Sequence, residues 1–222
     1  MSISLYHYTL CPLSRQVRVI LNELNYKFTL LEEKYWLKSE NLMQFNNFNE
    51  VPVLVFDEEN TLTNVYSIIE YLIHQNSSSF LFDKNIINLS KIRTAFHWFN
   101  MHVYTKVIKP ILNEKIIKLS LKKYPDTQIL SSARHVLNYH LQLLTSFLTK
   151  QDYIIFDRIT VADLVAASHL SALDYFGEIN WRNYREVKYW YCVIKSRPSF
   201  QQILQDKIPQ ISPSKHYTEL DF

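Results

Sequence analysis

The sequence predicts a protein of two parts, a mixed α/β domain of order βαβαββα over residues 1–76 and an all-helical domain over residues 86–206. Before residue 76, short runs rich in β-branched and aromatic residues alternate with apolar residues at helical spacing, which is typical of βαβ units. After residue 86, apolar residues recur at helical spacing alone. Residues 77–85 combine a polar start with a short aromatic run, so we expect the linker between the domains there.

The composition is that of a folded globular protein without a nucleic-acid partner. Of its 222 residues, 47% are hydrophobic and 14% aromatic, which supplies a large core. The net charge is only +3, and 24 basic residues are spread among 21 acidic ones rather than gathered on one face. No apolar run reaches the ~18 residues of a membrane span and no secretory signal is recognisable, so we expect a cytoplasmic protein without membrane insertion. Two cysteines in unrelated contexts and a single glycine argue against a disulfide framework, a cysteine metal site and glycine-rich phosphate loops.

Each element of the first domain has its own signal. Two β-rich runs flank a helix that begins near Pro12, because the missing N–H of a proline needs no partner in a first helical turn. Pro52 cannot donate to a sheet, so it marks the very start of the third strand. The predicted order is strand 3–8, helix from residue 12, strand 26–32, helix 40–45, a turn at 46–49, strand 50–57, a turn at 57–60, strand 61–63 and helix 65–74.

Cys11 is the candidate reactive residue because it lies in the turn between the first strand and the first helix. Free backbone N–H groups and the positive end of the helix dipole lower the pKa of a thiol at such a turn and attract anions. The same position also suits a small apolar residue beneath a helix, since free cysteines are among the most buried residues. From the residues alone, both interpretations stay open.

The second domain is predicted to contain one long helix over 86–121, bent at its proline, and another over 127–149. Aromatic and polar side chains at 97–105 fit either core packing or the wall of a second-substrate pocket. Thr160, followed three residues later by Asp163, matches a capping box. This motif predicts a helix start and a structural role for both residues.

These features together resemble the glutathione transferase family. The element order is that of the family's thioredoxin-like N-terminal domain, and its helical domain carries the same Thr/Ser-x-x-Asp box. The turn Cys11-Pro12-Leu13-Ser14 is similar to the active-site turn of cysteine-type members. The pair Val51 and Pro52 is similar to one that is cis in the family, where the Val backbone pairs with the cysteinyl part of glutathione. For an enzyme, the resemblance implies Cys11 as the nucleophile, with Ser14 in the same catalytic turn.

One pair departs from the family pattern. Members of the family open the helix after the hairpin with an acidic residue and a serine, which hold the γ-glutamyl end of glutathione, whereas this chain has Asn64 and Val65 there. Each lost contact of this kind is worth about 1.5–3 kcal/mol, so glutathione binding should be weakened about a hundredfold or more. The resemblance therefore implies no required cofactor and allows glutathione as a weak ligand or cosubstrate. The residues that it assigns to such a pocket are Trp36, Val51, Pro52, Asn64 and Val65.

A narrower resemblance competes with the enzyme interpretation. Segments 14–18, 32–36, 50–54, 167–175 and 216–222 are similar to alphaproteobacterial glutathione-transferase-like proteins that act as dimers and bind the cell-division polymer FtsZ. This resemblance implies a non-catalytic homodimer with FtsZ as its partner. The alternatives are a glutathione-dependent transferase or thiol transferase that uses Cys11, and a protein that only holds a small thiol or anion there.

Residues 207–222 are predicted to form an extended C-terminal tail, because two prolines prevent the preceding helix from continuing. The tail ends with apolar residues set among acidic ones. We expect Tyr217 and Phe222 to pack on the helical domain. Glu219, Asp221 and Phe222 are then assigned to a partner-binding face.

Overall fold

The computed structural model describes residues 3–45, 48–57, 60–76 and 79–222. Its first domain consists of β1 (Ile3–His7), α1 (Pro12–Glu23), β2 (Thr29–Glu32), a 3₁₀ turn (Tyr35–Leu37), α2 (Glu40–Met43), β3 (Val53–Phe56), β4 (Asn60–Leu62) and α3 (Val65–Gln75). The predicted order βαβαββα is confirmed, with a short 3₁₀ turn added before α2. Three expected segments lie partly outside the described residues. These are the turn at 46–49, through residues 46–47, the turn at 57–60, through residues 58–59, and the linker, through residues 77–78.

The sheet places the Cys11 turn at the end of an inner strand. The strand order is β2-β1-β3-β4. β1 runs parallel to β2, with Leu5 opposite Leu30, and antiparallel to β3, with Leu5 opposite Leu54. Since Leu5 and Leu54 are fully buried, the chain leaves the middle of the first domain at the end of β1 and enters α1 through the turn that carries Cys11.

The second domain begins with one continuous helical segment from Ile86 to Ser120, in which α-helix alternates with the wider π-helix. Its elements are α4 (Ile86–His97), a π segment (Trp98–Ile108), α5 (Lys109–Leu112), a second π segment (Asn113–Ile117), α6 (Lys118–Ser120), α7 (Thr127–Leu148), α8 (Val161–Tyr175), a 3₁₀ turn (Trp181–Asn183), α9 (Arg185–Lys195) and α10 (Pro198–Leu204). The predicted helices over 86–121 and 127–149 are confirmed, whereas apolar spacing gave no sign of the π segments. In the described part of the chain, no helix combines the length and the apolar character needed to cross a membrane.

Helix α8 is the buried centre of the helical domain, and the predicted capping box is present at its start. Every residue of this helix is buried. Asp163 Oδ2 accepts the N–H of Thr160 at 2.8 Å, and the Thr160 hydroxyl accepts the N–H of Ala162 at 3.2 Å. Asp163 Oδ1 also accepts the indole N–H of Trp190 at 3.0 Å. Both carboxylate oxygens are therefore used to hold the helix start against its neighbours.

Helix α1 joins the two domains. It packs on α8 and α10 of the helical domain and on α3 of its own domain. Its apolar residues Val17, Ile20 and Leu21 are fully buried and belong to one hydrophobic core that runs through both domains. The turn that carries Cys11 is therefore fixed from both sides.

Candidate functional sites: a thiol cleft and the C-terminal tail

Cys11 occupies the N-cap position of α1. Its N–H donates to the carbonyl of Tyr8 at 3.0 Å, and its carbonyl accepts the first helical N–H groups, those of Ser14 and Arg15, at 3.0 and 2.9 Å. Only 1% of the Cys11 surface is exposed. Ser14 is fully buried, and its hydroxyl accepts the N–H of Tyr8 at 3.3 Å, so it ties the turn to the preceding chain.

Burial raises the pKa of the Cys11 thiol above its ordinary value. The N–H groups of Leu13 and Ser14, the Ser14 hydroxyl and the positive charge of Arg15 act in the opposite direction, but the loss of solvation is the larger effect. The helix start acts on the thiol pKa in the predicted direction, but burial outweighs it, so the net shift is opposite to the one expected. At neutral pH the thiol stays protonated, and a protonated thiol is a poor nucleophile.

A small cleft of about 100 Å³ reaches the thiol. It brings together Cys11, the candidate nucleophile, and Val51, one of the residues that the resemblance assigned to a ligand pocket. The Val51–Pro52 peptide bond is cis, as the resemblance implied. The lining residues are Cys11, Leu13, Tyr35, Glu50, Val51, Tyr104 and Lys109. Because pockets that enclose small-molecule ligands usually measure about 300–1,000 Å³, this cleft is too small to enclose a tripeptide.

The other residues assigned to the ligand pocket lie outside this cleft. Asn64 accepts the N–H of Ser67 at 3.0 Å through its side-chain oxygen and so caps α3. Val65, the next residue, is buried in the hydrophobic core. Trp36 packs edge-on against Tyr8, with ring centroids 4.8 Å apart. It lines a neighbouring groove of about 360 Å³ between the first domain and the helical domain.

The C-terminal tail packs on the helical domain, as predicted for Tyr217 and Phe222. Tyr217 is fully buried, and its hydroxyl donates to the carbonyl of Ile203 at 3.1 Å. Phe222 lies partly buried, with its ring stacked on the His216 imidazole at a centroid distance of 4.6 Å. Glu219 and Asp221 are exposed between these two anchors.

The expectation of an extended tail was wrong in detail. Ile208 and Ile211 form an isolated antiparallel bridge, and residues 215–218 form a turn in which the N–H of Tyr217 donates to the carbonyl of Ser214 at 3.0 Å. In the folded-back tail, the buried Tyr217 packs on Tyr175 of α8 and donates its hydroxyl to the carbonyl of Ile203 in α10.

Two models of protein domains match the sequence of this chain. The model described as the N-terminal domain of glutathione S-transferase matches residues 5–80, and the model described as the C-terminal domain matches residues 112–207. The chain belongs to the glutathione S-transferase family. Its thiol cleft lies where the fold of this family places the turn between the first strand and the first helix.

Some relatives of this chain are named as transferases, and others are named for an association with FtsZ. FtsZ-localized protein A of Caulobacter vibrioides is 32% identical over 99% of this chain and 98% of its own length. A probable glutathione S-transferase, GSTF2, of Oryza sativa is 27% identical over 71% of this chain and 74% of its own length. Among solved structures, FzlA from C. crescentus matches with a TM-score of 0.95 at 31% identity, covering 100% of both chains. A glutathione S-transferase from Sinorhizobium meliloti matches equally well, with a TM-score of 0.95 at 32% identity and the same coverage.

A buried ionic cluster joins the two domains of this glutathione S-transferase fold, and the sequence reasoning missed it. Arginine side chains are usually exposed, but Arg15 and Arg18 of α1 are only 0% and 4% exposed. Arg18 binds both carboxylate oxygens of Asp206 at 2.8 and 2.9 Å, and Arg15 lies 3.1 Å from the same carboxylate. Arg15 also donates to the carbonyl of Thr9 at 2.8 Å and to the Ser171 hydroxyl at 2.9 Å. The partner carboxylate lies 188 residues from Arg18, so no local pattern reveals the pair.

Proposed function

We propose that the chain is a non-catalytic cell-division regulator of the FzlA type that binds FtsZ polymer. The observation that carries this proposal is the 32% identity to FtsZ-localized protein A over 99% of the chain. That alignment extends over nearly the whole length of both proteins, whereas the match to the rice transferase covers 71% of this chain.

The geometry of the thiol cleft supports a non-catalytic role. A conjugating enzyme of the cysteine type needs a thiolate at its active site, but burial raises the pKa of Cys11. The cleft of about 100 Å³ is smaller than a peptide-sized ligand requires. Asn64 uses its side-chain oxygen to cap α3. The raised pKa of Cys11 disfavours formation of the thiolate nucleophile. The small cleft and the engaged side-chain oxygen of Asn64 disfavour binding of glutathione.

The tail supports the choice of partner surface. Tyr217 and Phe222 are anchored on the helical domain, so the exposed carboxylates of Glu219 and Asp221 are held at the surface instead of moving freely. Such a pre-ordered acidic patch, with Phe222 at its edge, suits a basic surface on a protein partner, because less conformational entropy is lost on binding. We propose that this patch contacts FtsZ.

The proposal is tested by the position of a fluorescent fusion in the cell of origin. The fusion carries the label at the N-terminus, so that the tail stays native. We expect the label to follow FtsZ to the division site. A label that stays spread through the cytoplasm while FtsZ assembles normally would contradict the proposal.

We expect glutathione to bind weakly, with a dissociation constant in the millimolar range. Two charged hydrogen-bonded contacts are lost at Asn64 and Val65, which corresponds to about a hundredfold or more in affinity. Titration calorimetry measures this directly, and the double variant Asn64→Glu, Val65→Ser should bind more tightly than the wild type. Low-micromolar binding by the wild type would contradict the expectation.

Glutathione-dependent catalysis is the second candidate because Cys11 and the cis Val51–Pro52 pair share one cleft. In that case the Cys11 thiolate would attack the substrate, Ser14 would hold the turn, and glutathione would be the cosubstrate. Turnover with glutathione that disappears in Cys11→Ala would favour this candidate.

We also propose a symmetric homodimer in which the first domain of one subunit meets the helical domain of the other. Large apolar side chains are exposed on both domains, for example Leu37 and Phe48 on the first and Ile87 and Tyr139 on the second. Light scattering should give twice the chain mass of 26.6 kDa at micromolar concentration. A mass of one chain under these conditions would rule the dimer out.

A further inference from the structure

Asp174, at the C-terminal end of α8, is the point to which the tail is tied. Its side chain is fully buried. Oδ1 accepts the indole N–H of Trp181 at 2.9 Å and lies 2.8 Å from Nε2 of His216. Oδ2 accepts the Tyr191 hydroxyl at 3.3 Å and lies 3.6 Å from Nζ of Lys195. Of these four neighbours, only His216 belongs to the tail.

His216 links Asp174 to the last residue of the chain, Phe222. Its carbonyl accepts Nζ of Lys195 at 3.0 Å and the N–H of Glu219 at 3.1 Å. Its ring forms the platform on which Phe222 stacks, with 22° between the two planes. Nζ of Lys195 lies 4.4 Å from the centre of the Phe222 ring, so the same ammonium group holds both His216 and Phe222.

The residues between these contacts have little else to hold them. Thr218, Glu219, Leu220 and Asp221 are all exposed. Their position therefore depends on the two ends of the segment, which are fixed through His216 and the buried Tyr217 at one end and through Phe222 at the other. A short exposed segment that is pinned at both ends binds a partner with a smaller entropy loss than a free one.

We infer that Asp174 and His216 are positioning residues for the acidic patch, and that they control polymer binding without touching the polymer. This inference rests on the proposed function, because it assigns the patch of Glu219 and Asp221 to the FtsZ contact. The side chain of Asp174 is buried, so its effect on a partner passes through the rings of His216 and Trp181, both of which contact the ring of Phe222.

The test compares His216→Ala with His140→Ala in the full-length protein. The two histidines are a matched pair, since Nδ1 of His140 accepts the indole N–H of Trp98 at 3.0 Å while Nε2 of His216 lies 3.1 Å from the indole nitrogen of Trp181. The first readout is hydrogen exchange of the backbone amides of residues 217–222 in the free protein. The second readout is co-sedimentation with FtsZ polymer.

In His216→Ala we expect faster exchange at the Glu219 amide and an about tenfold loss of polymer affinity, the lower end of what loss of a hydrogen bond to a charged group produces. His140→Ala should change neither readout. In the His216→Ala background, Asp221→Lys should cost less affinity than in the wild type, because the patch is already displaced.

The outcomes separate this inference from the proposed function. If the wild type does not sediment with polymer, the proposed function fails, and hydrogen exchange alone then decides whether His216 positions the tail. Unchanged exchange in His216→Ala overturns the inference in either case. Faster exchange with unchanged sedimentation also overturns it, because the patch would then move without affecting the polymer.

Discussion

Replacing Asp206 with alanine should lower the free energy of unfolding by about 3–5 kcal/mol, the range for removing one partner of a buried ion pair. The variant leaves two guanidinium groups, those of Arg15 and Arg18, buried without their carboxylate. Arg15 would retain its bonds to the Thr9 carbonyl and the Ser171 hydroxyl, which compensate only part of the loss. Because α1 packs on α8 and α10, the damage falls on the contact between the two domains.

Urea denaturation measures this loss, and Glu70→Ala is the matched control. Glu70 forms a two-point ion pair with Arg93, but the two side chains are 38% and 36% exposed. Exposed pairs are worth about 0–1 kcal/mol, so the control should unfold close to the wild type. If Asp206→Ala and Glu70→Ala shift the urea midpoint of unfolding by the same amount, with the same dependence on urea, the buried cluster does not stabilise the contact between the domains.

Replacing Asp221 with lysine should weaken binding to FtsZ polymer about tenfold or more. The basic surface proposed for the partner would then meet a positive charge where it had met a negative one. Asp221 is exposed, so the melting temperature and the proposed dimer should stay nearly unchanged. Asp157→Lys is the matched control, since Asp157 is an exposed carboxylate in the loop before α8 and carries the same charge change.

Co-sedimentation at physiological salt measures the effect of Asp221→Lys. Equal binding by Asp221→Lys and the wild type would mean that the tail is an appendage with no part in the polymer contact. A loss of equal size in Asp157→Lys would mean that the whole acidic surface, and not the ordered patch, attracts the polymer.

Local patterns predicted the parts of the fold that local interactions determine. The order of strands and helices along the chain and the start of α1 at Pro12 follow from apolar spacing and backbone chemistry. The Thr160/Asp163 box lies within four residues of sequence. The apolar residues set among acidic ones in the tail predicted that Tyr217 and Phe222 pack on the helical domain, and the structure places both there.

Long-range pairing could not be predicted in this way. The pKa of Cys11 depends on how completely the surrounding chain buries it, including Tyr104 and Val51 from distant elements. Helical spacing identifies only apolar residues as buried, so it could not reveal that Arg15 and Arg18 are buried beside Asp206, whose carboxylate makes their burial tolerable. The π segments arise within a helix whose apolar pattern does not distinguish them from α-helix.

If the proposed function is right, this glutathione S-transferase fold serves polymer binding and not conjugation. The most direct test sediments the wild-type protein with assembled FtsZ and, in parallel, with unassembled FtsZ at the same concentration. We expect the protein to pellet with the polymer and to stay in the supernatant without it. Protein that remains in the supernatant in both samples, at a concentration where it turns over a substrate with glutathione, would show that the fold serves conjugation instead.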